Sequence, residues 1–534
     1  MINMAFNKKA DEIRIQIQRY TTESLVNELL IKLHTKHENE SKGYGMPWVL
    51  CLMLDWTLEL TPQKNASPAT DEDVYRILNK IWALQDNAMK LATSQNTYLT
   101  LRPFLLSQLM FQKDQIAHLF FMVRLFSIMC DKNSSSFFND KFKEITGLEL
   151  REYFVFAWYL NSVFINQSAS YIPYSELIIK LYPAFSLEKI SKLLKLVGAT
   201  PDQLKNEIQL WRSQNPLKPA EYFTEPLTIK SPILLLPNGF STPHTYVATI
   251  GISEFVIREL KSESFRNKFT KAYEEYIADL FNQFNYSVTR EKDINIFYKE
   301  QYVTGKVIDF LDLNGGKTVL IDAKGVEPHQ KILISDSPRI IKDKLKDSYI
   351  KAIEQASECA ALLDIHGYPG IQKYEERYAV IVTHQDFYLG NASKLVGYLG
   401  DEYKDKITGV IKNKIPLGNI HFVCVEDLEG VLGLCDEKNT YLHHFLDFCS
   451  QQNRSPETQK FDVRQHIISY AQSIGSSYSS PVGSPRLLKD NNYLVSYLIG
   501  LMKESETYWR MGGEQKIKEF MHLHYAFKNK IFSV

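Results

Sequence analysis

Signature motifs are scarce in this 534-residue chain. Its six cysteines, at positions 51, 130, 359, 424, 435 and 449, contain no CxxC pair. Zinc-ribbon and disulfide-framework readings therefore fail, and a reducing cytoplasm is the expected setting. Glycine-rich phosphate loops, GxSxG and HExxH are missing, so no ATPase is encoded and the serine-hydrolase and zinc-protease signatures are excluded. There is no surplus of charge: Lys+Arg and Asp+Glu both total 62, so any attraction for phosphate has to be local. Long apolar runs are lacking too. The most apolar stretches, Met46–Leu54, Leu119–Cys130 and Tyr153–Ile165, are interrupted or too short for the roughly 20 apolar residues of a membrane span, and read as buried helices. The N-terminal MINMAFNKKADEIRIQ carries no signal-peptide core.

What is present is the composition of a soluble globular protein, 44% hydrophobic and 23% charged, with enough length for several cores. Residues 1–215 show helical periodicity, as in Ile13, Ile17, Leu25 and Leu29, and are expected to form an all-α domain with a sensing or regulatory role. Six prolines between Pro216 and Pro243 mark residues 216–250 as a linker or a strand-containing connector, the strand being Ile233–Leu236. From 251 to 450 the pattern becomes α/β. Helices are expected at Ile252–Leu260 and Phe265–Phe284, then strands at Val307–Leu313 and Thr318–Ala323, then one long helix at Lys342–Leu363. Two apolar strands, Tyr378–Thr383 and Ile420–Val425, follow around a helix at Ala392–Tyr398. Residues 451–534 return to helices.

The chemistry concentrates in GKVIDFLDLNGGKTVLIDAKG, residues 305–325. Asn314-Gly315-Gly316-Lys317 is a hairpin turn between two β-branched runs. With Gly315-Gly316 as the two-residue loop, Asp309 stands directly opposite Asp322, their Cβ atoms roughly 4.5–5.5 Å apart. Strand alternation puts Leu320, Asp322 and Lys324 on one face and Val319, Ile321 and Ala323 on the other. Two carboxylates so placed either raise a pKa or hold a cation between them, and an oxygen-only donor set suits Mg²⁺ or Mn²⁺. The preceding helix offers a third acid. Glu274 shares a flank of its apolar face with Ile277 and Phe281 and should point inward, whereas Glu275 should be solvated.

Tyr273-Glu274 on a helix, then Asp309, then Asp322-Ala323-Lys324, resembles the PD-(D/E)xK nuclease superfamily, the restriction-endonuclease-like fold. The helix containing Lys351-Ala352-Ile353-Glu354-Gln355-Ala356 resembles the segment that follows the motif in many members. The likeness covers about residues 250–450. Ile308 replaces the proline, and Cys359 stands where a QxxxY signature would have tyrosine. The resemblance implies a central mixed sheet flanked by helices and a Mg²⁺- or Mn²⁺-dependent phosphodiester hydrolase. It makes Asp309 and Asp322 metal ligands together with the Ala323 carbonyl, and has Glu274 bind the metal directly or through water. Lys324 would handle the attacking water, and Gln355 would be auxiliary. DNA is the favoured substrate by resemblance, with RNA (tRNA, for instance), a sequence-specific restriction-type activity or a non-catalytic nucleic-acid-binding module as alternatives. The nuclease-plus-helical-domain arrangement resembles bacterial antiphage defence effectors, which implies a phage-derived protein trigger. Double-strand cleavage by one site per chain implies a homodimer.

Arg339, Lys342, Lys344 and Lys351 are candidate phosphate contacts, since Lys344, Ser348, Lys351 and Gln355 recur on one helical face; the interleaved Asp343, Asp347 and Glu354 fit a salt-bridged face equally well. His443-His444, in an aromatic helical stretch, reads as structural or exposed rather than metal-binding. Asp427 and Glu429 read as caps of the helix after the second apolar strand.

Overall fold

The computed structural model describes residues 2–35, 45–89, 97–113, 115–131, 135–166, 170–325, 330–372, 375–400, 415–476, 483–510 and 512–532. The described chain is mostly helical, with two small mixed sheets, and divides into two compact units. One contains residues 1–126, 130–261 and 490–534; the other contains 127–129 and 262–489. These limits differ from the expected segments at 250 and 450.

In the first unit, helices form where the 3.6-residue pattern is strongest. Thr70 caps the helix Asp71–Ala83 in a reciprocal capping box with Asp73, and Val74, Ile77, Leu78 and Ile81 are its buried stripe. The unit is not all-α as expected. Strands Ile172–Pro173, Gly239–Ser241, Ile233–Leu236 and Gly198–Ala199 lie side by side in that order. The proline-rich connector supplies the central hairpin, pairing Leu235 with Phe240, and short loops between helices add the edge strands. Gly239 is required there, because a Cβ would come within 2.2 Å of the Ile172 carbonyl oxygen. The connector is also tied down by polar side chains. Asp55 accepts from the Leu227 and Thr228 amides, while Arg212 bridges Glu59 and Glu221. The last helices belong to this unit, with Trp158 donating to Asn491 at 3.0 Å and Lys195 to the Lys530 carbonyl at 3.0 Å.

The second unit is built on a five-stranded sheet of sequential order: Thr289–Arg290, Phe310–Asp312, Thr318–Lys324, Arg377–Thr383 and Ile420–Cys424. The first three strands are antiparallel and the last two parallel to the third. Helices cover both faces. Phe281 of the helix Glu263–Gln283 meets Phe310 at 5.5 Å, and on the other face Tyr349 meets Phe422 at 4.5 Å. The hairpin register is Phe310 with Ile321, Leu311 with Leu320 and Asp312 with Val319, the register derived from the glycine pair. Regular pairing stops earlier at both ends than expected. The turn spreads over Asn314–Gly316 with positive φ at Gly315 and Gly316, and residues 307–309 leave the ladder. A Cβ on Gly315 would lie 2.6 Å from both Tyr441 and His443.

The expected long helix Lys342–Leu363 is instead Pro338–Leu345, a π-turn over Lys346–Ile350, and Lys351–Ile365. The extra residue per turn buries Tyr349 and Ile350 and rotates the two halves out of phase.

Tyr286 fastens the hairpin. Its hydroxyl donates to Asp312 at 2.8 Å and accepts from the Leu442 amide at 2.9 Å, both buried. Replacing Tyr286 by Phe should therefore cost about 1–3 kcal/mol, because it strands one acceptor and one donor. Urea denaturation of the full chain checks this, and an unchanged midpoint contradicts it.

Candidate active site

The site forms where the hairpin stops being regular. Asp309 lies one residue beyond the last paired position, and its Oδ2 accepts the Ala323 amide at 2.6 Å. A side chain thus takes a main-chain donor of the next strand, which ends ordinary pairing at that point. Two further bonds hold the departing chain: Gln355 Nε2 donates to the Val307 carbonyl, and the Glu291 amide donates to the Asp309 carbonyl at 2.8 Å. Asp322 sits mid-sheet and is 1% exposed. Its Oδ2 pairs with Lys324 Nζ at 2.6 Å, one strand period away on the same face.

The electrostatics follow from this crowding. Burial, then the neighbouring Asp322 charge, pushes Asp309 up to about 7. Burial also raises Asp322, against the opposing pull of Lys324, and the two carboxyl groups lie close enough to share a proton. Burial and then the charge of Asp309 raise Glu274 to about 7, and Lys324 opposes the rise. Glu274 is half-buried and faces this cluster, whereas Glu275 is exposed and paired with Arg290 at 2.6 Å. The helix parity derived from the apolar stripe separates the two acids as expected. Three carboxyl groups and a single ammonium group therefore converge.

Among the described residues, no three His, Cys, Asp or Glu side chains are already spaced to hold a metal ion. The donor set nevertheless fits a hard cation in kind. It consists of oxygens, is short of positive charge, and includes Asp322 Oδ1, which is buried with no hydrogen-bond donor.

The remaining candidates divide. Gln355 reaches the chain carrying Asp309 through a backbone carbonyl, which makes it a positioning residue. Arg339, Lys344 and Lys351 are exposed and Lys342 half-buried, but Ser348 is buried and donates to the Leu345 carbonyl at 3.4 Å. The single polar face through Lys344, Ser348, Lys351 and Gln355 is thus broken by the π-turn. His443 is buried and stacks on Tyr441 at 5.7 Å. Asp427 and Glu429 lie inside the helix Val425–Lys438 and do not cap it. Asp427 accepts from the Cys424 thiol at 3.1 Å, and Glu429 from the Tyr276 hydroxyl at 2.6 Å.

Two residues near the site escaped the sequence reading. His384 packs edge-on against Phe269 at 5.4 Å and Tyr273 at 5.9 Å, the residue before Glu274. Tyr349 places its hydroxyl 3.4 Å from Thr383, whose strand partner is Lys324. A signal for His384 did exist: it follows the carboxyl end of an apolar parallel strand, where sites in open α/β sheets gather.

No protein-family model, curated protein or solved structure matches the chain.

The raised carboxyls make stability depend on pH. A carboxyl whose folded-state pKa lies above its unfolded value carries no penalty below the unfolded value and the full penalty above the folded one. For Asp309 stability is therefore lost as pH rises from 3.8 to about 7. Replacing Asp309 by Asn should stabilise the chelator-treated protein at pH 8 by on the order of 2 kcal/mol and by little at pH 4. Denaturation midpoints at the two pH values check this, and equal effects at both contradict it.

Proposed function

We propose that this protein is a metal-dependent nuclease of the PD-(D/E)xK kind, hydrolysing phosphodiester bonds with DNA as substrate. The observation that carries the reading is the convergence of Asp309, Asp322 and Glu274 with Lys324 at the end of a buried hairpin. A purely structural role fits poorly, since buried like charges cost stability unless something binds between them.

In this reading Asp309, Asp322 and the Ala323 carbonyl hold Mg²⁺ or Mn²⁺, with Glu274 beside them or joined through water. The ion, when bound, polarises the scissile phosphoryl group and lowers the pKa of its water. The chain's own residues do the rest. The Ala323 amide fixes one oxygen of Asp309, leaving the other to turn toward the site. Gln355 keeps the Asp309 segment out of the ladder. Lys324 is 20% exposed, so its ammonium group is within reach of solvent while tethered to Asp322. A cation entering against the carboxylates would free that ammonium group to orient the attacking water and stabilise the charge that develops on phosphate. Glu274, at about 7, can take up a proton near neutral pH.

The large helical unit supplies no phosphate loop or other motor motif. Its part in the proposal is to sense a trigger, as in an antiphage defence effector held inactive until a phage component arrives.

Purified full chain incubated with Mg²⁺ and plasmid, linear DNA or total RNA tests the reading. The proposal expects DNA cleavage abolished by EDTA, reduced at least ~100-fold by Asp322→Asn and by Lys324→Ala, and reduced less by Gln355→Ala. Cleavage of RNA alone would redirect the substrate assignment. Undiminished cleavage in both Asp322→Asn and Lys324→Ala would overturn the site.

A further inference from the structure

A second cluster of ionisable groups lies at the outer edge of the same sheet. His421 and Val423 belong to the edge strand, and the register pairs them through Val380 and Val382 with Ile321 and Ala323. Paired residues share a face, so both point away from the face that carries Asp322 and Lys324. There they line a cavity with Lys394, Cys449, Lys460 and His466. The cavity as a whole is small, about 10 Å³, room for one water-sized group, and is partly open to solvent.

Two lysines and one carboxylate, Asp462, line the cavity, which leaves it net positive. Lys394 Nζ donates to the Lys460 carbonyl at 2.5 Å, and neither lysine forms an ion pair among the described residues. Asp462 is the carboxylate whose charge reaches Lys394, but it is engaged in capping the helix Val463–Ser473, accepting the Gln465 amide at 2.9 Å. Both histidines are held as neutral rings. His421 Nε2 lies 3.1 Å from Ser450 Oγ, which itself donates to the Gly418 carbonyl and must therefore accept from the ring. His466 Nε2 lies 3.3 Å from Asn453 Oδ1, an acceptor, so its Nδ1 carries a lone pair. That Nδ1 is buried with no hydrogen-bond partner, on a residue 4% exposed. Burial and the surrounding positive charge push His421 down to about 3 and His466 to about 4.

A ligand for this cavity has to bring negative charge for two ammonium groups and a donor for an imidazole lone pair. Halides and sulfate bring charge without a proton to donate; a protonated phosphate brings both. We propose that this cavity is a phosphate-binding site separate from the active site, taking inorganic phosphate or the terminal phosphate of a phosphomonoester. One phosphate oxygen enters the cavity toward His466, and Lys394 and Lys460 neutralise the rest. The proposal does not depend on the nuclease reading.

The test uses the full chain in EDTA at pH 7, followed by thermal unfolding and calorimetry. The titrants are sodium phosphate, adenosine 5′-monophosphate, and sodium sulfate at matched ionic strength. The wild type should be stabilised saturably by phosphate or by the nucleotide and much less by sulfate; the tighter of the two identifies the source of the phosphate group. Lys394→Met should bind at least ten-fold more weakly yet melt no lower than wild type without ligand, because burial disfavours the ammonium group by more than Asp462 favours it. Should that variant not fold, Lys460→Gln is read in the same way. No phosphate-specific stabilisation of the wild type, or its full retention in the folded variant, overturns the proposal.

Discussion

The contact between Asp309 and Asp322 sets the terms for the rest of the second unit. Two carboxyl groups pressed together in a buried hairpin cannot both stay ionised without compensation, and one lysine at 2.6 Å compensates only one of them. Holding them there takes the surrounding structure. The glycine turn fixes the register, Tyr286 pins Asp312, and Gln355 and Ala323 capture the segment that carries Asp309. Each of these bonds constrains backbone or hairpin and leaves Asp322 Oδ1 orphaned. A fold that spends its hydrogen bonds on keeping like charges together has the form of a binding site awaiting its ligand.

Net charge conceals this organisation. With 62 basic and 62 acidic residues the chain as a whole has no electrostatic signature, yet its charges are locally unbalanced in opposite senses on the two faces of one sheet. One face gathers carboxylates around Lys324; the other gathers lysines and neutral histidines around a small cavity. In the first unit one buried cluster is matched instead. Arg212 lies between Glu59 and Glu221, and Arg14 adds a further bond to Glu59 at 2.6 Å.

How much was legible beforehand depended on the range of the interaction. The Gly315-Gly316 pair fixed the strand register through local backbone geometry, and the alternation of side chains put Asp322 with Lys324. Helical periodicity separated Glu274 from Glu275 for the same reason, since the buried stripe is a local pattern. The π-turn at Lys346–Ile350 was not legible, because it answers to tertiary burial of Tyr349 against Phe422 rather than to any propensity in KDSYI. The sheet of the first unit escaped for a related reason. Two of its strands are two residues long and exist only by pairing with the hairpin from the proline-rich connector. The return of the C-terminal helices to the first unit rests on contacts across more than 300 positions of sequence, such as Trp158 with Asn491, which no local pattern encodes. The role of Gln355 changed from auxiliary site residue to clamp once its bond to Val307 was visible.

On the proposed reading the Asp309–Asp322 pair holds a proton that a divalent cation displaces. Calorimetric titration of Mn²⁺ into the chelator-stripped full chain at pH 6.5, in two buffers of different ionisation enthalpy, counts that proton directly. Saturable binding with about one proton released per ion is expected, and loss of that release in Asp309→Asn. Absence of binding, or binding with no proton released, would contradict it.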